Sequence, residues 1–222
     1  MNPFDDLRDG FDYLIEHRQR VFDLALDHLQ LSVTAIAIAL LVAVPLGLLV
    51  SRYGRTEVPV LGALGVLYTV PSLAFLAIMI PFLGLGTRPA TIMLATYAQV
   101  FLVRNIAAGL RGVDRDTLEA ARGVGMTGWQ VFRSVQLPLA LPVIIAGIRI
   151  ALTTTISLAT IAAWVGAGGL GTLLFNGITR NNTPMILAGT IAITTLAILT
   201  DQLLRLVEFV TPVARARRLG NR

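Results

Sequence analysis

The twenty residues LSVTAIAIALLVAVPLGLLV, Leu31–Val50, contain no charged side chain. A helix of about 20 residues, rising 1.5 Å per residue, crosses the hydrocarbon core of a bilayer. A backbone in lipid must satisfy its own hydrogen bonds, and this run is continuously apolar rather than alternating. The stretch therefore predicts a transmembrane helix and places the chain among integral membrane proteins.

The composition supports this assignment. Of 222 residues, 55% are hydrophobic and only 14% are charged, with a mean hydropathy of +0.74. A water-soluble chain carries about a quarter of its residues charged, so a soluble enzyme is excluded. The absence of cysteine excludes disulfides, thiolate metal sites and cysteine nucleophiles. All 18 basic residues are arginine, which excludes a Walker A phosphate loop, since that motif requires lysine.

Further apolar runs predict four more spans, which makes the fold an all-α integral membrane protein with five transmembrane helices. The runs are Val58–Thr87, Pro89 to about Leu110, Leu139–Val165, and Asn181 to about Val210. Pro45, Pro71 and Pro142 each remove a backbone donor inside a span and are expected to kink it.

The arginines predict the orientation, because cytoplasmic loops carry an excess of basic residues. One set of loops and the C-terminus contain Arg52, Arg55, Arg111, Arg115, Arg122, Arg133, Arg215, Arg217, Arg218 and Arg222, whereas the opposite loops contain Arg88 and Arg180. The first set is therefore expected in the cytoplasm. This divides the chain into an extracytoplasmic polar segment (1–28), a membrane domain (29–210) and a basic cytoplasmic tail (211–222). Residues Phe4, Leu7, Phe11, Leu14 and Ile15 are expected on one face of a short surface helix.

The longest cytoplasmic stretch, about 111–138, predicts a helix–turn–helix between spans three and four. Residues 116–123 have acid near their start and arginine near their end, as a helix dipole favours. Gly125 allows a sharp turn, and Thr127 is suited to cap a second short helix, Gly128–Ser134. Leu137-Pro138 is expected to end the excursion. Such a pair of helices can dock a cytosolic partner.

This loop resembles the EAA motif of permease subunits in ATP-binding-cassette importers. The matching positions are Glu119, Ala120, Ala121, Gly125, Val135, Leu137 and Pro138, with Val135 in place of isoleucine as the one departure. Three further segments resemble the osmoprotectant branch, which imports glycine betaine, choline or carnitine: residues 68–74, the turn GAGGLG at 166–171, and residues 181–189. Methionine permeases carry a similar turn, so another small solute such as methionine stays an alternative.

The resemblance implies a permease in a bacterial or archaeal cell membrane that is not itself an enzyme. Cytosolic ATPase subunits would bind ATP and Mg, so no cofactor is expected in this chain. A second permease subunit, identical or paralogous, would complete the pathway, and an extracytoplasmic binding protein would deliver the solute. Glu119 would contact the ATPase, Ala120 and Ala121 would allow close approach, and Gly125 would permit the turn.

Two alternatives remain on the residues alone: a non-transporting membrane scaffold that docks a cytosolic partner, and an ion-driven carrier. Ion-driven carriers commonly place acids inside their spans, whereas these spans contain essentially none before Asp201. Candidate pathway residues are Tyr97, Gln99, Arg149, Thr153, Thr154 and Ser157. Arg149 could be a gate element or could extend to the cytoplasmic headgroups, and the hydroxyls could simply bond the preceding helical turn.

Other signals are interpreted as structural. Two G-x-G-x-x-G stretches, 123–128 and 166–171, lack the preceding strand or the following acid of a dinucleotide site and are taken as turns. His17 and His28 are assigned to the polar N-terminal segment, with no metal site around them. Quaternary ammonium recognition uses aromatic cages, but with 7% aromatic residues no aromatic cluster is evident. The arginines form no stripe with aromatics, which argues against nucleic-acid binding.

Overall fold

The computed structural model describes residues 3–210, apart from the side chains of residues 3–5, 207, 209 and 210. The predicted basic tail, with Arg215, Arg217, Arg218 and Arg222, lies outside the described residues. The described part is helical and contains no strand. Its helices are α1 (Pro3–Glu16), α2 (Arg18–Arg52), α3 (Glu57–Thr69), α4 (Ser72–Leu83), α5 (Thr87–Arg111), α6 (Arg115–Gly123), α7 (Gly128–Val131), α8 (Leu137–Ala162), α9 (Gly171–Thr179) and α10 (Thr183–Val210).

Four helical stretches in this part of the chain are long and apolar enough to cross a membrane. They are Arg18–Arg52, Thr87–Arg111, Gly128–Val165 and Thr183–Leu206. A fifth span results only if the bent pair formed by Gly54–Thr69 and Ser72–Leu83 counts as one. The all-helical membrane architecture is confirmed, and the number of spans is four or five.

The predicted second span is broken at Pro71 rather than merely kinked there. Its two halves meet at 89° around Val70 and Pro71, both of which have extended backbone geometry. Proline lacks the N–H that would continue the helix, and it disfavours helical geometry in the residue before it. At 12 or 13 residues each, α3 and α4 are about 18–20 Å long, shorter than the ~30 Å hydrocarbon core. Pro45 and Pro142, by contrast, lie inside continuous helices.

The first long helix starts earlier than expected. α2 begins at Arg18 and is 35 residues long, so the boundary placed at residue 28 falls within a helix. His28 is fully buried on α2, although the sequence assigned it to a polar segment. Its Nε2 donates to the carbonyl oxygen of Ile156 on α8 at 2.8 Å. The polar segment therefore includes the first turns of a helix that is anchored in the bundle.

The core lies where α2, α5 and α8 pack together. It consists largely of alanine with leucine, isoleucine and valine, including fully buried Ala39, Ala43, Val103 and Ala151. Small side chains let membrane helices approach closely, and lipid provides no hydrophobic drive to replace that packing. This three-helix core supports the loop between α5 and α8.

The predicted N-terminal helix, α1, is present and packs against the last helix, α10. Gly10 of α1 is buried against Leu187 of α10. Leu7, Phe11 and Ile15 remain exposed, whereas Leu14 is half-buried. The side chain of Phe4 lies outside the described ones. An exposed apolar face is a feature of helices that lie along a bilayer surface, and that position stays a prediction for α1.

Candidate functional site

The first helix of the loop, α6, is capped as its sequence suggests. Asp114 is its N-cap and accepts hydrogen bonds from the Thr117 hydroxyl at 2.9 Å and the Thr117 backbone N–H at 3.0 Å. These bonds favour the carboxylate and hold the pKa of Asp114 below its ordinary value. The cap is therefore fully formed at neutral pH and is lost only as the pH falls through that lowered pKa.

The turn between the two short helices depends on Gly125. Its φ of +86° is a left-handed conformation that residues with a Cβ rarely adopt. The Gly125 N–H donates to the Arg122 carbonyl at 2.9 Å, and the Met126 N–H donates to the Ala121 carbonyl at 3.3 Å. These bonds close the end of α6, so the sharp turn expected at Gly125 is present.

The second short helix begins as predicted but does not end as predicted. Thr127 caps α7 in a reciprocal capping box with Gln130. The helix then continues through a π-helical turn, Phe132–Gln136, directly into α8, so Leu137-Pro138 does not interrupt it. Proline is tolerated in the first turn of α8, where the chain has just left the wider π-helical spacing.

The motif residues divide into an outer and an inner set. Glu119, Ala120 and Gly125 are exposed, whereas Ala121, Val135, Leu137 and Pro138 are half-buried. Beside the inner set, the Gln136 side chain donates to the Leu110 carbonyl of α5 at 3.0 Å. Gln136 therefore ties the base of the loop to α5, while the outer set is presented at the surface.

The loop displays an apolar surface that nothing in the described chain covers. α6 has no buried residue, and Val124 and Trp129 are 80% and 66% exposed. Trp129 stacks on Phe132 with 5.6 Å between ring centroids. A cavity of about 590 Å³ next to these rings is also lined by Arg52 and Arg122. Exposed apolar groups rimmed by charge are typical of a protein-docking surface.

Arg149 forms ion pairs with the last helix. Its Nε lies 2.9 Å from Asp201 Oδ1, and its Nη1 lies 3.0 Å from Glu208 Oε2. Each of the three side chains is about 30% exposed. A charge within the bilayer is costly unless paired, so the two carboxylates of α10 account for an arginine inside the fourth span. The sequence singled out Arg149 but had no means of identifying its partners.

Two of the predicted hydroxyl residues lie beside this ion-pair group. Thr153 Oγ1 donates to the Arg149 carbonyl at 3.0 Å, and Ser157 Oγ donates to the Thr153 carbonyl at 3.2 Å. Both line a cavity of about 320 Å³ between α8 and α10, together with Asp201. Thr154 is half-buried outside that lining. The structure thus brings Arg149, Thr153 and Ser157 together on one side of the molecule.

Tyr97 and Gln99 lie elsewhere, inside the bundle. Gln99 Nε2 donates to the Ala39 carbonyl of α2 at 3.0 Å, a bond between neighbouring helices. The Tyr97 hydroxyl donates to the carbonyl of Val70, at the break between α3 and α4. These two residues do not join Arg149 in a single site.

Four aromatic rings meet beside that break, although no aromatic cluster is evident in the sequence. We call Tyr68, Phe75, Tyr97 and Phe101 the four-ring cluster. Centroid distances are 5.7 Å for Tyr68–Tyr97, 5.4 Å for Tyr68–Phe101 and 5.7 Å for Phe75–Tyr97, all edge-to-face. The cluster cannot be predicted from the sequence, because its members belong to α3, α4 and α5. These helices come together only because the second span is broken.

The GAGGLG stretch, residues 166–171, is a turn, as expected. It packs against His28, which the sequence assigns to the polar N-terminal segment. Gly169 has φ +77°, and a Cβ there would lie 2.9 Å from Nδ1 of His28. The turn and the His28–Ile156 hydrogen bond therefore fasten α2, α8 and the start of α9 at one end of the bundle.

Comparison with known proteins identifies the family. Residues 35–209 match the family described as "Binding-protein-dependent transport system inner membrane component". The carnitine transport permease protein OpuCB of Listeria monocytogenes is 45% identical over 84% of this chain and 86% of its own length. The osmoprotectant import permease protein OsmW of Salmonella typhimurium is 41% identical over 92% of this chain and 98% of its own.

Solved structures of lower identity agree on the fold. The MetNI methionine ABC transporter in an inward-facing conformation gives a TM-score of 0.69 at 24% identity, covering 84% of this chain and 95% of that one. An amino acid ABC transporter with histidines gives 0.72 at 19% identity, covering 89% and 97%. The chain therefore belongs to the binding-protein-dependent transport family of inner membrane permeases, in the branch that includes the osmoprotectant permeases.

Proposed function

We propose that this chain is a permease subunit of an ATP-driven importer for osmoprotectants of the glycine betaine, carnitine and choline type. The observation that carries the proposal is its 45% identity to a carnitine permease, over most of both chains. A choline transport permease, OpuBB of Bacillus subtilis, is also 39% identical over 87% of this chain. Each of these solutes contains a quaternary ammonium group.

The loop from residue 111 to residue 138 is proposed to couple the permease to its ATPase. Glu119, Ala120 and Gly125 are exposed, and Val124 and Trp129 add an uncovered apolar surface. A short helix that is capped at Asp114 and joined by a fixed turn to the continuous α7–α8 helix transmits displacement without absorbing it. Motion of α6 would therefore reach the fourth span directly.

The orientation follows from the same assignment. A loop that docks a cytosolic ATPase must be cytoplasmic, which places the N-terminus outside and the C-terminus inside for five spans. Arg52, Arg55 and Arg122 then lie on the cytoplasmic side, and Arg88 and Arg180 lie on the opposite side, in agreement with the positive-inside rule.

The proposed mechanism is alternating access. ATP and Mg bind in the partner ATPases, whose closure would draw two coupling loops together and tilt the attached helices. A solute delivered by the extracytoplasmic binding protein would then be released to the cytoplasm. The polar groove between α8 and α10, with Thr153, Ser157 and Asp201, is assigned to the side facing the second permease subunit, since polar groups avoid lipid.

Import of methionine is the second candidate, and it has weaker support. The MetNI transporter shares the fold, but at 24% identity its likeness concerns the fold alone. The more similar relatives are named for carnitine, choline or osmoprotectants. No observation on this chain favours methionine over those solutes.

Uptake into proteoliposomes tests the proposal. Vesicles would contain this chain, its ATPase and its binding protein, and would be offered glycine betaine, choline, carnitine, proline and methionine separately, with and without ATP. We expect saturable, ATP-dependent uptake of at least one quaternary amine. Uptake of methionine alone would show that the solute class is wrong, and no ATP-dependent uptake of any of them would contradict the importer assignment.

A further inference from the structure

The four-ring cluster combines a fixed ring with an accessible one. Tyr97 is only 4% exposed, and its hydroxyl bond to the Val70 carbonyl fixes it against the break in the second span. Tyr68 contacts Tyr97 and Phe101 edge-to-face, yet keeps 40% of its surface exposed. Phe75 and Phe101 are half-buried, so Tyr68 is the most exposed ring of the cluster, and it lies in the last turn of α3, next to the extended residues Val70 and Pro71.

The segment that contains the four-ring cluster, residues 58–113, has no carboxylate that could bind a cation. Between Glu57 and Asp114 there is no acidic residue, so α4, α5 and the part of α3 after Glu57 contribute ring faces but no carboxylate. The carboxyl end of α3, at Thr69, adds the partial negative charge of its last carbonyl groups. Broken membrane helices with their ends turned inward are a common way of lining a solute site.

The chemistry fits a quaternary ammonium group better than other cations. Such a group has no N–H to donate, so it needs no hydrogen-bond acceptor, and it is attracted to an aromatic face within about 6 Å. A zwitterionic betaine also carries its own carboxylate, which an acidic residue would repel. A site built of rings therefore accepts choline and betaines alike.

We propose that the four-ring cluster is a transient binding site for the trimethylammonium group of the solute during passage, with Tyr68 as the ring that meets it. The proposal rests on the proposed function, because it names the group within those solutes that this chain recognises. It assigns the permease a selective step of its own, in addition to the selection made by the binding protein.

The test compares Tyr68→Leu, which removes the ring, with Tyr68→Phe, which keeps it. Phe82→Leu is the matched control, since Phe82 is a 79% exposed ring in α4 outside the four-ring cluster. Proteoliposomes would contain the ATPase and saturating solute-loaded binding protein, and both solute uptake and ATP hydrolysis would be measured. Loss of a cation–ring contact predicts an uptake rate about tenfold lower in Tyr68→Leu, and a change within about twofold in Tyr68→Phe.

We expect hydrolysis stimulated by the binding protein to persist in Tyr68→Leu, because Tyr68 belongs to α3 and not to the loop at 111–138 that is proposed to couple to the ATPase. Normal uptake by Tyr68→Leu, or an equal loss in Phe82→Leu, would overturn the proposal. An equal loss in Tyr68→Phe would do the same, since it would assign the effect to the hydroxyl group.

If Tyr68→Leu does not assemble into the transporter complex, a series of fluorinated phenylalanines at position 68 tests the proposal instead. Fluorination preserves the shape of the ring while weakening its attraction for cations, so uptake is expected to fall stepwise with each added fluorine. A flat response would overturn the proposal. This result differs from a failure of the proposed function, in which the unmodified complex would transport no quaternary amine at all.

Discussion

Replacing Gly125 with valine is expected to abolish most solute uptake while leaving the amount of permease in the membrane unchanged. Gly125 has φ +86°, and apart from its own backbone and its two chain neighbours no atom lies within 4 Å of the position its Cβ would occupy. The effect is therefore one of backbone conformation rather than of collision. A left-handed residue with a Cβ costs roughly 1–2 kcal/mol, and a β-branched one is a clear outlier there.

Because about 1.4 kcal/mol is a tenfold change in an equilibrium, the correctly turned loop would be populated roughly tenfold less. Uptake and binding-protein-stimulated hydrolysis would both be measured in proteoliposomes, and permease content by immunoblot. Gly123→Val is the matched control, since Gly123 is also in open space but has no positive φ. Normal coupling in Gly125→Val, or equal damage in Gly123→Val, would contradict the assigned role of the turn.

Replacing Arg149 with glutamine is expected to lower the stability of the purified permease. The change leaves Asp201 and Glu208 without the cation that lies about 3 Å from each of them. Removing one partner of a fully buried pair costs about 3–5 kcal/mol, and we expect about 2 kcal/mol here because these side chains are about 30% exposed. For a chain of this size, that lowers the unfolding midpoint by roughly 4–8 °C.

The double variant Arg149→Gln/Asp201→Asn is expected to recover part of this loss, because the carboxylate charge of Asp201, which Arg149 no longer balances, is then removed as well. Arg104→Gln, which changes an exposed arginine of α5, is the control. The thermal unfolding midpoint in detergent is the measurement. A midpoint for Arg149→Gln equal to that of Arg104→Gln would show that the ion pairs between α8 and α10 do not stabilise the fold.

The features predictable from the sequence are those that depend on local chemistry. Uncharged runs such as residues 31–50 identify membrane helices, because the bilayer imposes a length and an apolar composition. The turn at Gly125 and the cap at Thr127 are likewise local, since each depends on the conformational preference of one residue. The EAA spacing identified the family without any knowledge of packing.

The features that could not be predicted depend on which helices meet. The sequence marks Arg149 as a charge inside a span, but its partners Asp201 and Glu208 lie more than fifty residues away on α10. The sequence places His28 in a polar segment, and only the packing of α2 against α8 shows that it is buried. The four-ring cluster depends on the right-angle break at Pro71, whose angle no periodicity in the sequence encodes.

The coupling role of the loop can be tested most directly by cross-linking it to the ATPase. The chain contains no cysteine, so a single introduced thiol with a photoreactive reagent reports on one position alone. Ala120→Cys lies on the exposed face of α6, and Leu85→Cys, 71% exposed between α4 and α5, is the control at the opposite side of the proposed topology. We predict that Ala120→Cys in the assembled complex cross-links to the ATPase and that Leu85→Cys does not. Absence of the Ala120 product, or equal yields at the two positions, would contradict both the coupling role and the cytoplasmic placement of the loop.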